Sequence, residues 1–172
     1  MTASLPKVQP AELKTRLQRI VGERSPSTNP RHLAEVENYI EREFKSYGLS
    51  VESDHFNYWG RSFRNIVAQA PHPYPSPTGR GKEGEGLVIL GAHFDAVEGT
   101  PGADDNASGV AVLLEAAKIL SGLKLRSKVL FCAFNLEEFN MIGSDHFAKK
   151  LKAQGAKVGG MISLEMVGFT DL

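Results

Sequence analysis

A chain of 172 residues has the length of about one domain, and 41% hydrophobic against 23% charged residues is the balance of a soluble globular protein. Its 20 basic and 20 acidic residues cancel, so there is no basic excess to neutralise phosphates and nucleic acid is excluded as a partner. No apolar stretch approaches the length of a membrane span, which predicts no membrane partner, and the amino terminus lacks the apolar core of a secretory signal, which predicts a cytoplasmic product.

In chain order, Pro10 opens a first helix with Leu13, Leu17, Ile20 and Val21 on one face and Gly22 near its end. Asn29-Pro30 pairs a capping residue with a first-turn proline, and Leu33, Val36, Ile40, Phe44 and Tyr47 repeat at helical spacing up to Gly48. The charges between them, Glu35, Glu37, Glu41, Arg42 and Glu43, read as a solvated face. Residues 49–58 then predict a strand, and Arg64-Asn65-Ile66-Val67-Ala68-Gln69 its hairpin partner across a turn near Trp59-Gly60. Tyr58 and Trp59 read as hairpin packing rather than a substrate platform, and His55 as a surface residue. Residues 71–86 alternate prolines with small and aromatic residues and end in a glycine-rich run. That composition predicts an exposed insertion joining two strands, with His72 inside it.

Chemistry-bearing residues gather after this segment. Leu87-Val88-Ile89-Leu90 is continuously apolar, as a strand covered on both faces should be, and it leads to His93-Phe94-Asp95. A loop then carries Asp104-Asp105 into a helix with Val110, Leu113, Leu114, Ala117 and Leu120 on one face. A second apolar run from Val129 to Phe134, with Cys132 inside it as a buried structural thiol, ends at Glu137-Glu138. After a helix through Phe147, Ala148 and Leu151, a third short run, Met161-Ile162-Ser163-Leu164, ends in Glu165. Strands alternating with helices predict a three-layer α/β/α sandwich around a mixed, mostly parallel sheet with an antiparallel pair at one side. Ligands of such sheets bind beyond the carboxyl ends of the strands, where His93, Glu137-Glu138 and Glu165 would converge. Imidazole and carboxylate together suit a divalent cation, zinc first.

His93-Phe94-Asp95, the run from Gly102 to Gly109, Glu137-Glu138 with Gly143-Ser144 after it, and Ser163-Leu164-Glu165-Met166 form one ordered signature. It resembles metallopeptidase family 28, the di-zinc aminopeptidases and their relatives. The resemblance implies one zinc-exopeptidase-like domain over residues 1–172, incomplete at the carboxyl terminus, acting on peptide substrates. It implies His93 and Glu138 as ligands of separate zinc ions, Asp105 as the carboxylate bridging both, and Glu165 at the fourth ligand position. Glu137 matches the general base that activates a zinc-bound water, and Asp95 the partner that orients His93 through its other ring nitrogen.

The family completes its second zinc with a histidine near the end of a chain of about twice this catalytic length. Of His32, His55, His72, His93 and His146, only His93 falls on a motif, and the resemblance gives the Ser144-Asp145-His146 position to helix capping. A complete site takes two zinc ions. For this chain the expectation is at most about one held tightly, with association through an exposed sheet edge and little turnover. The alternatives are an inactive fragment or pseudoenzyme, or a related glutaminyl cyclase or carboxypeptidase activity.

Overall fold

The structure is a computed structural model and describes residues 6–69, 86–125 and 127–168. The segment 71–86, apart from Gly86, lies outside them, and His72 with it.

Two helices open the chain. Helix α1 (Pro10–Ile20) starts on a proline, whose missing N–H is no loss in a first turn, and packs Leu17, Ile20 and the following Val21 into the core. Helix α2 (Pro30–Ser46) is capped by Asn29, whose side chain accepts the His32 N–H at 3.2 Å. Leu33, Val36, Ile40 and Phe44 are its buried stripe. Strands β1 (Ser50–Tyr58) and β2 (Arg61–Gln69) form the expected hairpin, closed by Trp59-Gly60 with both φ angles positive, at 50° and 69°. That conformation matches the right-handed twist of the strands and lets pairing run to Tyr58 opposite Arg61, three residues beyond the expected start of the second strand.

Strand β3 (Leu87–His93), helix α3 (Gly109–Ser121), strand β4 (Val129–Phe134), helix α4 (Ile142–Ala153) and strand β5 (Val158–Ser163) follow, giving one sheet of order β1-β2-β4-β3-β5. Strands β4, β3 and β5 are parallel, while β1 and β2 are antiparallel to their neighbours. Along β4 the period of two sorts the side chains: Val129, Phe131 and Ala133 face the core built by α1, α2 and α3, and Leu130, Cys132 and Phe134 face α4. The helices therefore cover both faces, and each fully buried side chain such as Phe131, Leu113 or Leu114 contributes about 1.5–3 kcal/mol against exposure. Burial, with the charge of Asp54 nearby, pushes the Cys132 thiol far above its ordinary value and leaves it inert, as expected of a structural thiol.

This connectivity decides where a ligand can bind. From β3 the chain passes through α3 to β4 on one side, and from β4 through α4 to β5 on the other, with α3 and α4 on opposite faces. The order thus reverses at β3, and the crevice of such a sheet opens beyond the carboxyl end of that strand. His93 is its last residue. Strand β5 forms the edge and is exposed along its whole length, Val158, Met161 and Ile162 included. Among the described residues no helix is long and apolar enough to cross a membrane.

Candidate metal centre

Three strand ends and one helix entrance deliver the site. His93 Nε2 lies 3.1 Å from Asp105 Oδ1, 3.3 Å from Glu165 Oε1 and 3.8 Å from Glu137 Oε2. His93, Asp105 and Glu165 offer one set of ligand atoms within 4.8 Å of one another, and His93, Glu137 and Glu138 a second. The structure thus gathers all five residues expected at the metal. His146 is elsewhere, on α4, at 3.6 Å from the buried Asp54 of β1 and against the Phe56 ring.

Asp95 ties the two halves together. Its Oδ1 and Oδ2 accept the backbone N–H groups of Glu137 at 3.0 Å and Glu138 at 3.1 Å, and Oδ1 stands 3.5 Å from His93 Nδ1. At that separation its charge reaches the ring, although His93 Nδ1 has no hydrogen-bond partner. Asp95 therefore holds the glutamate loop directly and the imidazole by charge.

Residues that the sequence did not single out build the frame. Arg24 is fully buried and donates to the carbonyls of Ile20, Gly22, Phe94, Pro101 and Gly102, so one guanidinium pins the end of α1, the end of β3 and the loop before Asp105. Burial lowers its pKa to about 10, against the charges of Asp95, Asp105 and Glu138. Gly102 sits at φ 52°, where a Cβ would lie 2.5 Å from Arg24 Nη2, so this glycine is what admits the arginine. Asn106, whose bond to Asp105 is a cis peptide, uses its whole amide: Nδ2 donates to Leu164 O at 2.9 Å and Glu165 Oε2 at 3.2 Å, and Oδ1 accepts from Gly109 and Met166. It fastens Asp105 to the strand end that carries Glu165.

The loop bearing the paired glutamates is strained, with Leu136, Asn140 and Met141 at φ 57°, 75° and 60°. Asn65 clamps it at both ends. Its Oδ1 accepts the Asn135 N–H at 3.0 Å and its Nδ2 donates to Gly143 O at 2.9 Å, while a second bond to Asp54 fixes the amide. A Cβ on residue 143 would meet Asn135 O at 2.1 Å and Asn65 Oδ1 at 2.4 Å, so only glycine lets the clamp close. Asn65→Ala leaves a buried donor and acceptor unpaired. The expected cost is about 2–4 kcal/mol, which lowers the melting temperature by roughly 4–16 °C for a domain of this size and loosens zinc binding with it. An unchanged melting curve would show that the loop holds itself.

The electrostatics ask for a cation. Asp105 Oδ1, met only by the His93 ring at 3.1 Å, and Glu138 Oε1 are buried without a hydrogen-bond partner, a costly state for an anionic oxygen that a cation relieves. Burial and the neighbouring charge of Asp105 raise Glu138 to about 7, with His93 opposing. Burial and Asp105 raise Glu165 as well. Burial opposes protonation of His93, but Asp95, Glu165 and Glu137 outweigh it and raise the imidazole to about 9. Imidazole nitrogen and carboxylate oxygen are the donor set of zinc, so the residues present fit that ion.

A metal must displace these protons, and its affinity should rise with pH. Below the His93 value of about 9 one proton leaves per ion, so each pH unit down costs about tenfold in affinity. Below the Glu138 value of about 7 a second proton is coupled where that residue is a ligand, and the fall steepens. Zinc titration from pH 9.5 to 6 checks this, and a flat profile would remove these two residues from the ligand set.

A groove of about 840 Å³ between α1, α2 and α3 contains none of these residues. Within it Arg16 pairs with Glu43 and Lys118 with Glu12, and Arg16 also reaches Glu115.

A mixed sheet with helices on both faces and a histidine–carboxylate cluster beyond three parallel strands is the architecture of the zinc exopeptidases. Residues 65–171 match peptidase family M28, and the chain belongs to that family. It is 33% identical over 171 residues to the uncharacterized protein YfbL of Escherichia coli, covering 90% of this chain and 50% of YfbL. It is 37% identical over 83 residues to aminopeptidase YwaD of Bacillus subtilis, covering 48% of this chain and 18% of that enzyme. The solved glutaminyl cyclase of Porphyromonas gingivalis superposes with a TM-score of 0.70 at 25% identity, covering 92% of this chain and 58% of the other. The chain thus spans half or less of the length of these two curated relatives.

Proposed function

We propose that this chain holds the zinc of an exopeptidase that removes residues from the amino end of peptides. The observation that carries the reading is the convergence of His93 Nε2, Asp105 Oδ1 and Glu165 Oε1 from three separate elements, with the aspartate oxygen buried and otherwise unpartnered. His93, Asp105 and Glu165 would hold one ion, and Asp105 and Glu138 would contribute to a second, which needs a further ligand to be complete. Zinc bound there supplies Lewis acidity and a water of lowered pKa. Glu137, half-exposed beside the imidazole, takes the proton of the attacking water and returns it to the leaving amine. Asp95 keeps Glu137, Glu138 and His93 in one frame, and Asn65 and Arg24 hold the loops that carry them.

The likeness to a glutaminyl cyclase makes ring closure the second reading, because the same centre could polarise the side-chain amide of an amino-terminal glutamine. Two peptides that differ only in their first residue separate the two. Given a complete zinc site, a peptide beginning with leucine should release leucine, stop when a chelator removes zinc, and resume when zinc is returned. Loss of ammonia from the glutamine peptide, with no leucine released from the other, would replace the exopeptidase by the cyclase.

A further inference from the structure

The hairpin of β1 and β2 reaches past the sheet on the side of the site. Strand β2 pairs with β4 only from Ile66 to Gln69, so Arg61 to Asn65 continue beyond Ala133, in the direction of the carboxyl end of β4 where Glu137 and Glu138 follow. Five residues of strand are about 16 Å of overhang. At its tip the Trp59 ring stacks on Tyr58 at 4.6 Å and meets the Phe139 ring edge-on at 5.2 Å. Phe139 is bonded to Glu138, and with Leu136 and Ile142 it packs on Phe56 and Phe63 of the hairpin. Ribbon and glutamate loop are therefore one apolar wall. Despite those contacts Trp59 is 61% exposed and Met141, in the same loop, 56%.

An indole left that bare beside a rigid aromatic neighbour is poor packing and a good platform. Sequence reasoning assigned Trp59 to hairpin packing, which accounts for the Tyr58 and Phe139 contacts and leaves its open face unexplained. We propose that Trp59, Phe139 and Met141 form a binding subsite for an apolar, preferably aromatic, side chain of the peptide substrate, three to five residues from its amino end. The chain bounds the spacing: the Phe139 Cα is one peptide step, about 3.8 Å, from that of Glu138. The Phe139 ring and the 5.2 Å from it to Trp59 add further reach, so the platform lies within roughly 15 Å of the Glu138 backbone, up to about four extended residues at about 3.3 Å each. The subsite rests on the exopeptidase reading for the direction in which the peptide lies. It adds that longer peptides are chosen by a residue the reaction does not touch.

Trp59 is the single tryptophan of the chain, so its fluorescence reports on this place alone. The probes are two pentapeptides whose first amide is reduced to a methyleneamine and cannot be cleaved, one leucine followed by glycines, the other with phenylalanine at the fourth position. The zinc-loaded 172-residue protein should bind the phenylalanine peptide about tenfold more tightly, the effect of burying one aromatic ring against others, with a saturable blue shift of Trp59 emission. By calorimetry, Trp59→Ala should bring the two affinities together. Equal affinities for the native protein, no emission change, or no binding of either peptide would each overturn the subsite, even where leucine release from cleavable peptides proceeds. A phenylalanine-dependent shift without hydrolysis of any cleavable peptide, in a form of the protein with both zinc ions bound, would keep the subsite and sink the exopeptidase reading instead.

Discussion

In a longer form of the protein with a complete zinc site, replacing Glu137 by glutamine should leave the zinc content unchanged while lowering the rate of peptide hydrolysis by about 10²–10⁴-fold, the usual contribution of a general base. Glutamine keeps the size of the side chain and the backbone N–H that Asp95 Oδ1 accepts, so the loop retains its place. What disappears is the ability to take a proton. Glu137 Oε2 is 3.8 Å from His93 Nε2, the longest of the three carboxylate approaches to that nitrogen, which suits a group beside the ion rather than on it. Elemental analysis and initial rates on the same preparation separate the two roles. Loss of zinc would make Glu137 a ligand, and an unchanged rate would give the proton to another group.

Asp105→Ala should abolish zinc binding more completely than His93→Ala, because the proposed bridge serves both ions and the histidine one. Asp105 contributes to both sides of the site: it stands 3.1 Å from His93 Nε2, and its charge is the largest charge acting on Glu138. Removing it deletes a shared ligand and relieves the repulsion that makes the site seek a cation. The loss should exceed the roughly 10–100-fold typical of removing a partner behind a ligand. Titration against a competing chelator compares the two variants, and equal losses would argue that Asp105 serves a single ion.

His93, Glu138 and Glu165 were legible as candidate ligands because each stands where an apolar run stops, whereas Asp105 lies in a loop and came only from the ordered motifs. Leu87 to Leu90, Val129 to Phe134 and Met161 to Leu164 announce their strands by hydrophobicity, and parallel strands put their carboxyl ends on one edge. Helix α2 was equally plain, since a cap, a first-turn proline and a 3-4 stripe all agree. The hairpin was found but placed three residues short, because its tip turns through a positive-φ tryptophan that no turn rule favours.

The supports of the site were hidden for a different reason. Arg24 follows Glu23 in a short loop as an ordinary charged pair would, and only its burial under five carbonyls gives it meaning. Asn65 alternates with the buried Phe63 and Val67 along β2, and a polar residue at that place in the period of two was the available signal. A buried amide in such a run needs partners, and here they are the two ends of the glutamate loop. Asn106 could be found only beside its partners, which are nearly sixty residues away in sequence. Local patterns report local structure, whereas these residues act across it.

Anomalous scattering at the zinc edge, from crystals of the protein grown with zinc, tests the account most directly. It should place an ion within about 2.0–2.2 Å of His93 Nε2 and of carboxylate oxygens of Asp105 and Glu165, the ordinary zinc distances. No peak at that point, or a peak at His146 and Asp54 on the other face, would contradict the assignment of the centre.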